Sequence, residues 1–572
     1  MNFIKNNKRV KFVFITGGVT SSLGKGLLNA SIGRMLISMN ENFKIKFIKC
    51  DPYLNIDPGT MNPNQHGEVY VLNDGAETDL DFGHYERFTS LYMNKNCSIT
   101  AGKIYSSILD KERKGLFNGK TVQTIPHVTN EIKSAIYNNI ENDTDFILCE
   151  IGGTVGDMEA LPFLEAIRQI GYEYKENAMY IHMTFVPYLK SAKELKTKPT
   201  QHSTSTLRSI GIQPDVLICR AEHHIPIEHR EKIANFCNLT SDHVIPLIDT
   251  NNVYDIPLSL HRYHLDNIIC NHFNLNKPNP QYLDQWKLMI QKMKDRKFTI
   301  NVGIIGKYAD VDDSYKSLYE AINHAGIKNN CYINITLVDS KIITEENSRE
   351  IIAKFDGIII AGGFGLTGIE GKICAIKFAR ENNVPIFGIC YGMQLALIEA
   401  AQNLLHLEDA NSTELDAGCK NPIIWKMEEW IRNGEKESRI NIDDIGGTMR
   451  LGVYKCNLKD DTLAEKIYGK SIIEERHRHR YEFNNKYKDA LESVGIVFSG
   501  ISADNDLVEI MEIPHHRWFL AVQFHPEFQS SVLNSHPLFS NFIKFLIEQK
   551  EFANRAKIVQ NTDNILNYNA AI

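Results

Sequence analysis

Short apolar runs alternate with longer amphipathic stretches along nearly all of this 572-residue chain. Residues 10–15, 146–150 and 215–219 have the length and the β-branched or aromatic content of buried strands, and helix-length segments separate them. The pattern restarts at residues 298–305 and continues through apolar runs at 355–360, 384–389 and 518–524. Strand–helix alternation of this kind predicts an α/β fold with mostly parallel sheets in both halves. The run Asn274-Leu-Asn-Lys-Pro-Asn-Pro280 is rich in breakers and marks a boundary. The expected layout is one domain over 1–275, a polar linker helix over 276–297, a second domain over 298–557 and a disordered polar tail over 558–572.

Composition narrows the class. Apolar residues make up 43% of the chain, enough for two to four real cores. A net charge of −7 gives no general case for binding nucleic acid or an anionic membrane. The eleven cysteines are scattered and form no C-x-x-C pair, which reads as reduced thiols rather than a disulfide or zinc framework. No apolar run reaches membrane-spanning length, and Met1 to Arg9 lacks the core of a signal peptide. A cytoplasmic protein is the expectation.

The second half carries the sharper chemistry. A short strand leads at once into Gly388-Ile-Cys390-Tyr-Gly392, the thiol counterpart of a G-x-S-x-G elbow, in which glycines let the backbone turn sharply and lift the nucleophile. Another strand ends in His525-Pro-Glu527. Cysteine, histidine and carboxylate are the parts of a thiol hydrolase: the imidazole helps form the thiolate and the carboxylate orients the imidazole. Residues 355–360 run into Ala361-Gly-Gly-Phe-Gly365, which could offer N–H groups to an oxyanion, although a plain glycine turn after a strand competes for that loop. This arrangement resembles the class I glutamine amidotransferases. The pairs His477/His479 and His515/His516 read as surface histidines among arginines rather than as metal ligands, and an anion-binding role suits the arginines better.

In the first half, Gly17-Gly-Val-Thr-Ser-Ser-Leu-Gly-Lys-Gly26 follows the first strand and opens a helix. Glycines there can wrap phosphates, the helix N-terminus favours their charge and Lys25 can reach the outer ones. It is not a strict Walker A, because Gly26 stands where Ser or Thr would hold magnesium. Asp81 and Glu150, the latter at a strand's C-terminal end, are the best carboxylates for a metal. Lys196 and Lys198 suit a triphosphate, although a Lys-x-Lys run is more often a solvated face.

Together, these segments resemble the CTP synthase family. The phosphate loop, Lys49 to Met61, Gln65 to Glu68, Gly75 to Arg87, Glu150 to Asp157, Lys196 to His202, Asp409 to Glu414, Gly446 to Gly452 and Arg476 to Tyr481 all carry the likeness, over roughly residues 8–550. The resemblance implies ATP-dependent amination of UTP to CTP, with ammonia released from glutamine and passed inside the protein. It implies catalysis by Cys390, His525 and Glu527, with glutamine held at Gly363, Tyr391, Gly392, Met393, Gln394, Glu414 and Arg480. ATP would meet Ser22, Leu23, Gly24, Lys25, Gly26, Leu27, Lys49, Asp81, Arg220 and Asp249. UTP, or CTP as feedback inhibitor, would meet Ser21, Asp157, Met158, Glu159, Lys196, Thr197, Lys198, Pro199, Thr200, Gln201 and Lys232. Magnesium would sit on Asp81 and Glu150. The family further implies GTP as an activator, a homotetramer and, in some members, filaments, with no nucleic-acid or membrane partner.

Two rival readings compete with this one. Another ATP-dependent amidoligase could share the phosphate loop, but Lys196-Thr-Lys-Pro-Thr-Gln201 resembles a pyrimidine-nucleotide loop. A silent homologue would not be expected to retain Cys390, His525, Glu527, Lys25, Asp81 and Glu150 together. One departure stands out: where the family has an arginine in a lid over the glutamine site, tied to GTP activation, this chain has Thr367. A threonine brings one short hydroxyl and no charge, so a blunted GTP response is expected, with compensation by nearby basic residues such as Lys372 or Arg480 as the competing reading.

Overall fold

A computed structural model of the chain describes residues 10–307, 312–426, 429–432, 435–438, 449–504 and 506–570; side chains at 63–64, 312–313, 429–432, 435–438 and 556–570 are outside the description. Residues 446–448 of the Gly446 to Gly452 motif, and the N-terminal segment read for a signal peptide, lie outside the described residues.

The chain divides into two compact units, one formed by residues up to 58 with 80–291, the other by 59–79 with everything from 292. The first unit is built on seven parallel strands: β1 (Lys11–Gly17), β2 (Ile45–Asp51), β3 (Ser98–Thr100), β4 (Phe146–Ile151), β5 (Ala178–Phe185), β6 (Val216–Ala221) and β7 (Val244–Ile248). Their order across the sheet is β7-β6-β5-β1-β4-β2-β3. β1 and β4 are almost wholly buried along their length, as strands covered on both faces must be. Helix α1 (Lys25–Met39) leaves the phosphate loop, α2 (Asp81–Thr89) packs beside it, and α3 (Lys198–Ser209) opens with Pro199 in its first turn, where a missing N–H costs nothing.

The second unit carries a nine-stranded sheet. Its strands are β8 (Phe298–Gly306), β9 (Cys331–Asp339), β10 (Gly357–Ile360), β11 (Ile386–Ile389), β12 (Arg450–Leu458), β13 (Ile472–His479), β14 (Val497–Ser502), β15 (Val508–Glu512) and β16 (Phe519–Val522). The order is β9-β8-β10-β11-β16-β15-β14-β12-β13. The pairings from β9 to β16 are parallel, and those from β16 onward are antiparallel. Helices α5 (Ile369–Glu381) and α6 (Tyr391–Asn403) pack against each other beside the parallel half.

Three features differ from the expected layout. Residues 59–79, from the N-terminal half of the sequence, belong to the second unit. Within that unit Arg476 donates to Asn73 Oδ1 (2.6 Å) and the Val71 carbonyl (3.0 Å), Arg478 to Glu77 (2.9 Å), and Tyr70 to the Phe528 carbonyl (2.7 Å). The two strands of this hairpin, Tyr70–Val71 and Glu77–Thr78, are too short to leave a periodic signal. Second, the helix expected to be a linker, α4 (Asp284–Lys294), buries Trp286, Met289 and Ile290, an i, i+3, i+4 stripe. The Trp286 indole donates to the Tyr254 carbonyl at 2.8 Å within the first unit. Third, the backbone of α7 (Pro537–Ala570) is helical as far as Ala570 within the expected tail, a stretch that contains neither glycine nor proline to stop it.

Candidate active sites

The strand ends of β10, β11 and β16 converge in the second unit. Ile360 is level with Gly388, and Ile389 with Val522, so the loops that follow these strands meet on one edge. Cys390 follows β11 with φ 53° and ψ −102°, a backbone conformation that side chains rarely adopt, and its N–H donates to the Val522 carbonyl at 2.7 Å. The flanking glycines are required by close approach. A Cβ on Gly392 would lie 2.4 Å from the Ile360 carbonyl oxygen, and one on Gly388 would lie 2.7 Å from the Ala521 methyl. The thiol is buried beside His525, donates to the Arg478 carbonyl at 3.7 Å and accepts from the Gln523 amide at 3.8 Å. His525 Nδ1 meets Glu527 Oε1 at 2.7 Å. Burial alone disfavours the imidazolium, but Glu527 and Cys390 outweigh it and push His525 up to about 10. A protonated imidazole beside sulfur and carboxylate is the arrangement that sustains a thiolate nucleophile.

The glycine loop lies alongside. A Cβ on Gly362 would sit 3.0 Å from His525 Cε1 and 3.7 Å from Cys390 Cβ, so this backbone touches both residues. Gly362, Gly363, Phe364, Tyr315, Glu68 and Arg478 line a cavity of about 100 Å³ that opens against His525 and Glu527. Glu414 accepts from the Gly365 N–H at 2.8 Å, and Tyr391 donates to the Gly365 carbonyl at 3.1 Å. Arg480 is half-buried and within electrostatic reach of Glu414. Met393 and Gln394 differ from their neighbours: Met393 is buried in the core, and the Gln394 amide is committed to the Tyr481 carbonyl (2.9 Å) and Gln523 (3.1 Å).

The first unit's site is built from charge. Lys49 Nζ lies 2.5 Å from Asp81, 3.4 Å from Glu150 and 3.5 Å from Asp51, while Lys25 Nζ donates to the Gly153 carbonyl at 2.7 Å. Gly26 now has a reason, because a Cβ there would stand 1.9 Å from Asp81 Oδ1. Burial pushes the Glu150 carboxyl up to about 7 against the pull of Lys49, and raises Asp51 as well. Three carboxylates share two lysines, so the cluster is one positive charge short when all are ionised, and a divalent cation on Asp81 and Glu150 fits that donor set. Among the described residues no group of three or more His, Cys, Asp or Glu side chains is arranged as a ready metal cage. Arg220 braces the phosphate loop through the carbonyls of Ser22 (2.9 Å) and Leu23 (3.1 Å) and pairs with Asp249 (2.7 Å).

The residues read for UTP or CTP are more dispersed. Ser21, Asp157, Met158, Glu159 and Lys232 are exposed. Lys196 pairs with Glu194, Lys198 lies over the Phe236 ring (5.4 Å), Thr200 is buried against Thr184 (3.1 Å), and Gln201 donates to Thr197 (3.1 Å). Asp51 and Gln523 escaped the sequence reading. Asp51 had a signal, since it shares a strand face with Lys49 two residues away, whereas Gln523 lies past the end of β16, two residues before His525. The surface reading holds for His515, which is exposed, and is corrected for His477, His479 and His516, which are buried. His477 and His479 are fully buried, 2.9 Å apart, beside the Arg450–Glu482–Glu509 ion cluster, and burial pushes both well below the usual range. Alternation on β13 explains it, since the arginines and histidines of that run face opposite ways.

A buried thiol at a glycine elbow, an imidazole–carboxylate pair and an adjoining glycine loop define a glutamine amidotransferase site, joined here to a unit with a phosphate loop. Family comparisons agree: the model described as CTP synthase N-terminus matches residues 11–275, and that of class I glutamine amidotransferase matches 310–545. A curated CTP synthase from Paramagnetospirillum magneticum is 51% identical over 94% of this chain and 99% of its own length. One from Clostridium kluyveri is 52% identical over 94% of this chain and 99% of its own. Among solved structures, the acivicin-bound glutaminase domain of Trypanosoma brucei CTPS is 32% identical, covering 44% of this chain and 94% of that one, with a TM-score of 0.40. The chain belongs to the CTP synthase family, glutamine-hydrolysing ligases that use ATP as co-substrate. Among the described residues no helix is long and apolar enough to cross a membrane.

Proposed function

We propose that this protein aminates UTP at C4 with nitrogen drawn from glutamine, and that its two sites divide the work as follows. Cys390 attacks the glutamine carboxamide, His525 gives its proton to the departing nitrogen, and ammonia leaves. Water then releases glutamate from the acyl-cysteine. Glu527 holds the imidazole in the right tautomer, the Gly362–Gly363 backbone faces the oxyanion, and Arg480 pairs with the substrate carboxylate.

In the synthetase unit, Lys25 and Lys49 take ATP phosphates, and the loop 196–201 with Ser21 and Lys232 takes UTP. The uracil O4 receives the γ-phosphoryl group because hydroxide is a poor leaving group. Ammonia from the first site, passed within the protein, then displaces phosphate to give CTP, with ADP and phosphate as by-products. Positioning and charge neutralisation do most of this work. Magnesium, held by Asp81 and Glu150, would supply the charge neutralisation that the carboxylate-rich cluster invites.

The family match further supports CTP as a feedback inhibitor near Asp157 to Glu159, GTP as an activator, a homotetramer able to form filaments, and a cytoplasmic setting. The observation that carries the reading is the pairing of the Cys390–His525–Glu527 centre with the Lys25/Lys49/Asp81/Glu150 cluster in one chain. The test supplies UTP, ATP, magnesium and ammonium to the purified protein. CTP should form in step with ADP; ATP hydrolysis without CTP would reject the pyrimidine assignment.

A further inference from the structure

Lys372, on α5, is fully buried, yet it makes no ion pair among the described residues. Its ammonium donates to the Ala361 carbonyl at 2.7 Å and lies 5.5 Å from the centre of the Tyr391 ring. Ala361 O and the Gly362 N–H belong to one trans peptide and point opposite ways, so fixing the carbonyl fixes the direction of that N–H. Gly362 is the residue packed against His525 and Cys390. The rest of the loop is held in the same manner. Lys307 donates to the Phe364 carbonyl, Gly365 N–H donates to Glu414, and Tyr391 donates to the Gly365 carbonyl. Charged and titratable groups facing Lys372 are Lys307 beyond β8 and the Cys390 thiol at the start of α6.

We propose that Lys372 is a positioning residue of the glutaminase half-reaction: it sets the Ala361–Gly362 peptide and places a positive charge behind the loop that receives the oxyanion. The inference rests on the reading of Cys390 as the nucleophile. Burying an ammonium without a carboxylate is unfavourable for the fold. Burial first, then Lys307, bring Lys372 down to about 7, against the opposing pull of Cys390. Its charge is therefore present below that pH and lost as pH rises through it, while a free lysine keeps its charge to far higher pH.

The test is Lys372→Met, which keeps the length and removes the charge. The glutaminase kcat should fall about tenfold with KM for glutamine within about twofold, since the loss falls on the transition state. Ammonia-dependent CTP formation should match the parent, and Tm should hold or rise, because a disfavoured buried charge is gone. The parent's advantage over the variant should shrink from pH 6 to 8.5. A role that is only structural predicts the reverse: lowered Tm and joint loss of both activities. That outcome, an unchanged glutaminase kcat, or an effect confined to KM would each overturn the proposal. Cys390→Ala in parallel separates the two readings. If that variant keeps its glutaminase activity, the nucleophile assignment fails; if it is inactive while Lys372→Met is normal, only the role of Lys372 fails.

Discussion

Both units place their chemistry at the C-terminal ends of parallel strands, but they prepare it differently. In the amidotransferase unit the polar groups already have partners: thiol to the Arg478 carbonyl and the Gln523 amide, imidazole to Glu527, loop peptides to Lys372, Tyr391 and Glu414. In the synthetase unit Lys49 stands among three carboxylates, and two of these, Glu150 and Asp51, are pushed toward their neutral forms by burial. A site that makes its own nucleophile can be pre-organised by the chain alone. A site that must neutralise two triphosphates has charges set against each other until ligands and metal rearrange them.

That contrast predicts separable losses. Cys390→Ala should abolish glutamine-dependent CTP formation, by roughly three orders of magnitude or more, and leave ammonia-dependent formation near the parent level, as assayed by CTP production from each nitrogen source. Asp81→Asn or Glu150→Gln should cut synthesis from both sources by about a hundredfold or more while glutamate release survives. Full synthesis at low magnesium in either variant would remove that carboxylate from the metal site. Gly26→Ser should behave like these variants, since its side chain would displace Asp81. Normal ammonia-dependent kinetics in Gly26→Ser would show that Asp81 can move at no cost.

A smaller effect is expected at Thr367, which is exposed at the end of the glycine loop. Losing a charge-assisted contact of about 1.5–3 kcal/mol corresponds to roughly one to two orders of magnitude in GTP activation. Thr367→Arg should restore it in a GTP titration of glutamine-dependent synthesis. Strong micromolar activation of the unmodified protein, with no gain from the arginine, would contradict this.

The smallest effect concerns pH. His525 is raised from its ordinary value to about 10, so its ion pairing adds stability that is fully present below about 6.5 and fades as pH climbs through 10. Denaturant unfolding from pH 6 to 10 should show that decline in the parent and a weaker one in Glu527→Gln. Equal slopes would mean the pair adds nothing to the fold.

Much of this was legible in the chain, because strand–helix alternation, the Gly388 to Gly392 elbow and the Gly17 to Gly26 loop are local patterns with local causes. The docking of residues 59–79 onto the second unit was not, since it depends on Arg476 and Arg478 meeting Asn73 and Glu77, about four hundred positions away. The burial of His477 and His479 was missed because charged neighbours in sequence suggest a surface, whereas period-two alternation puts those neighbours on the opposite face. Lys372 could be read as a basic residue near the loop but not as a buried one bonded to Ala361, because a lysine on an amphipathic helix reads as solvated until the helix is seen to bury it.

The claim that the two sites work as one enzyme is tested most directly by tracing nitrogen. The protein is supplied with UTP, ATP, magnesium and amide-¹⁵N glutamine in the presence of excess unlabelled ammonium, at a pH where glutamine-dependent turnover dominates. Internal transfer predicts that the 4-amino group of the CTP formed carries the ¹⁵N label well above its share of the bulk ammonia pool. Label diluted to the bulk ratio would mean that Cys390 releases ammonia to solvent and that the two units act separately.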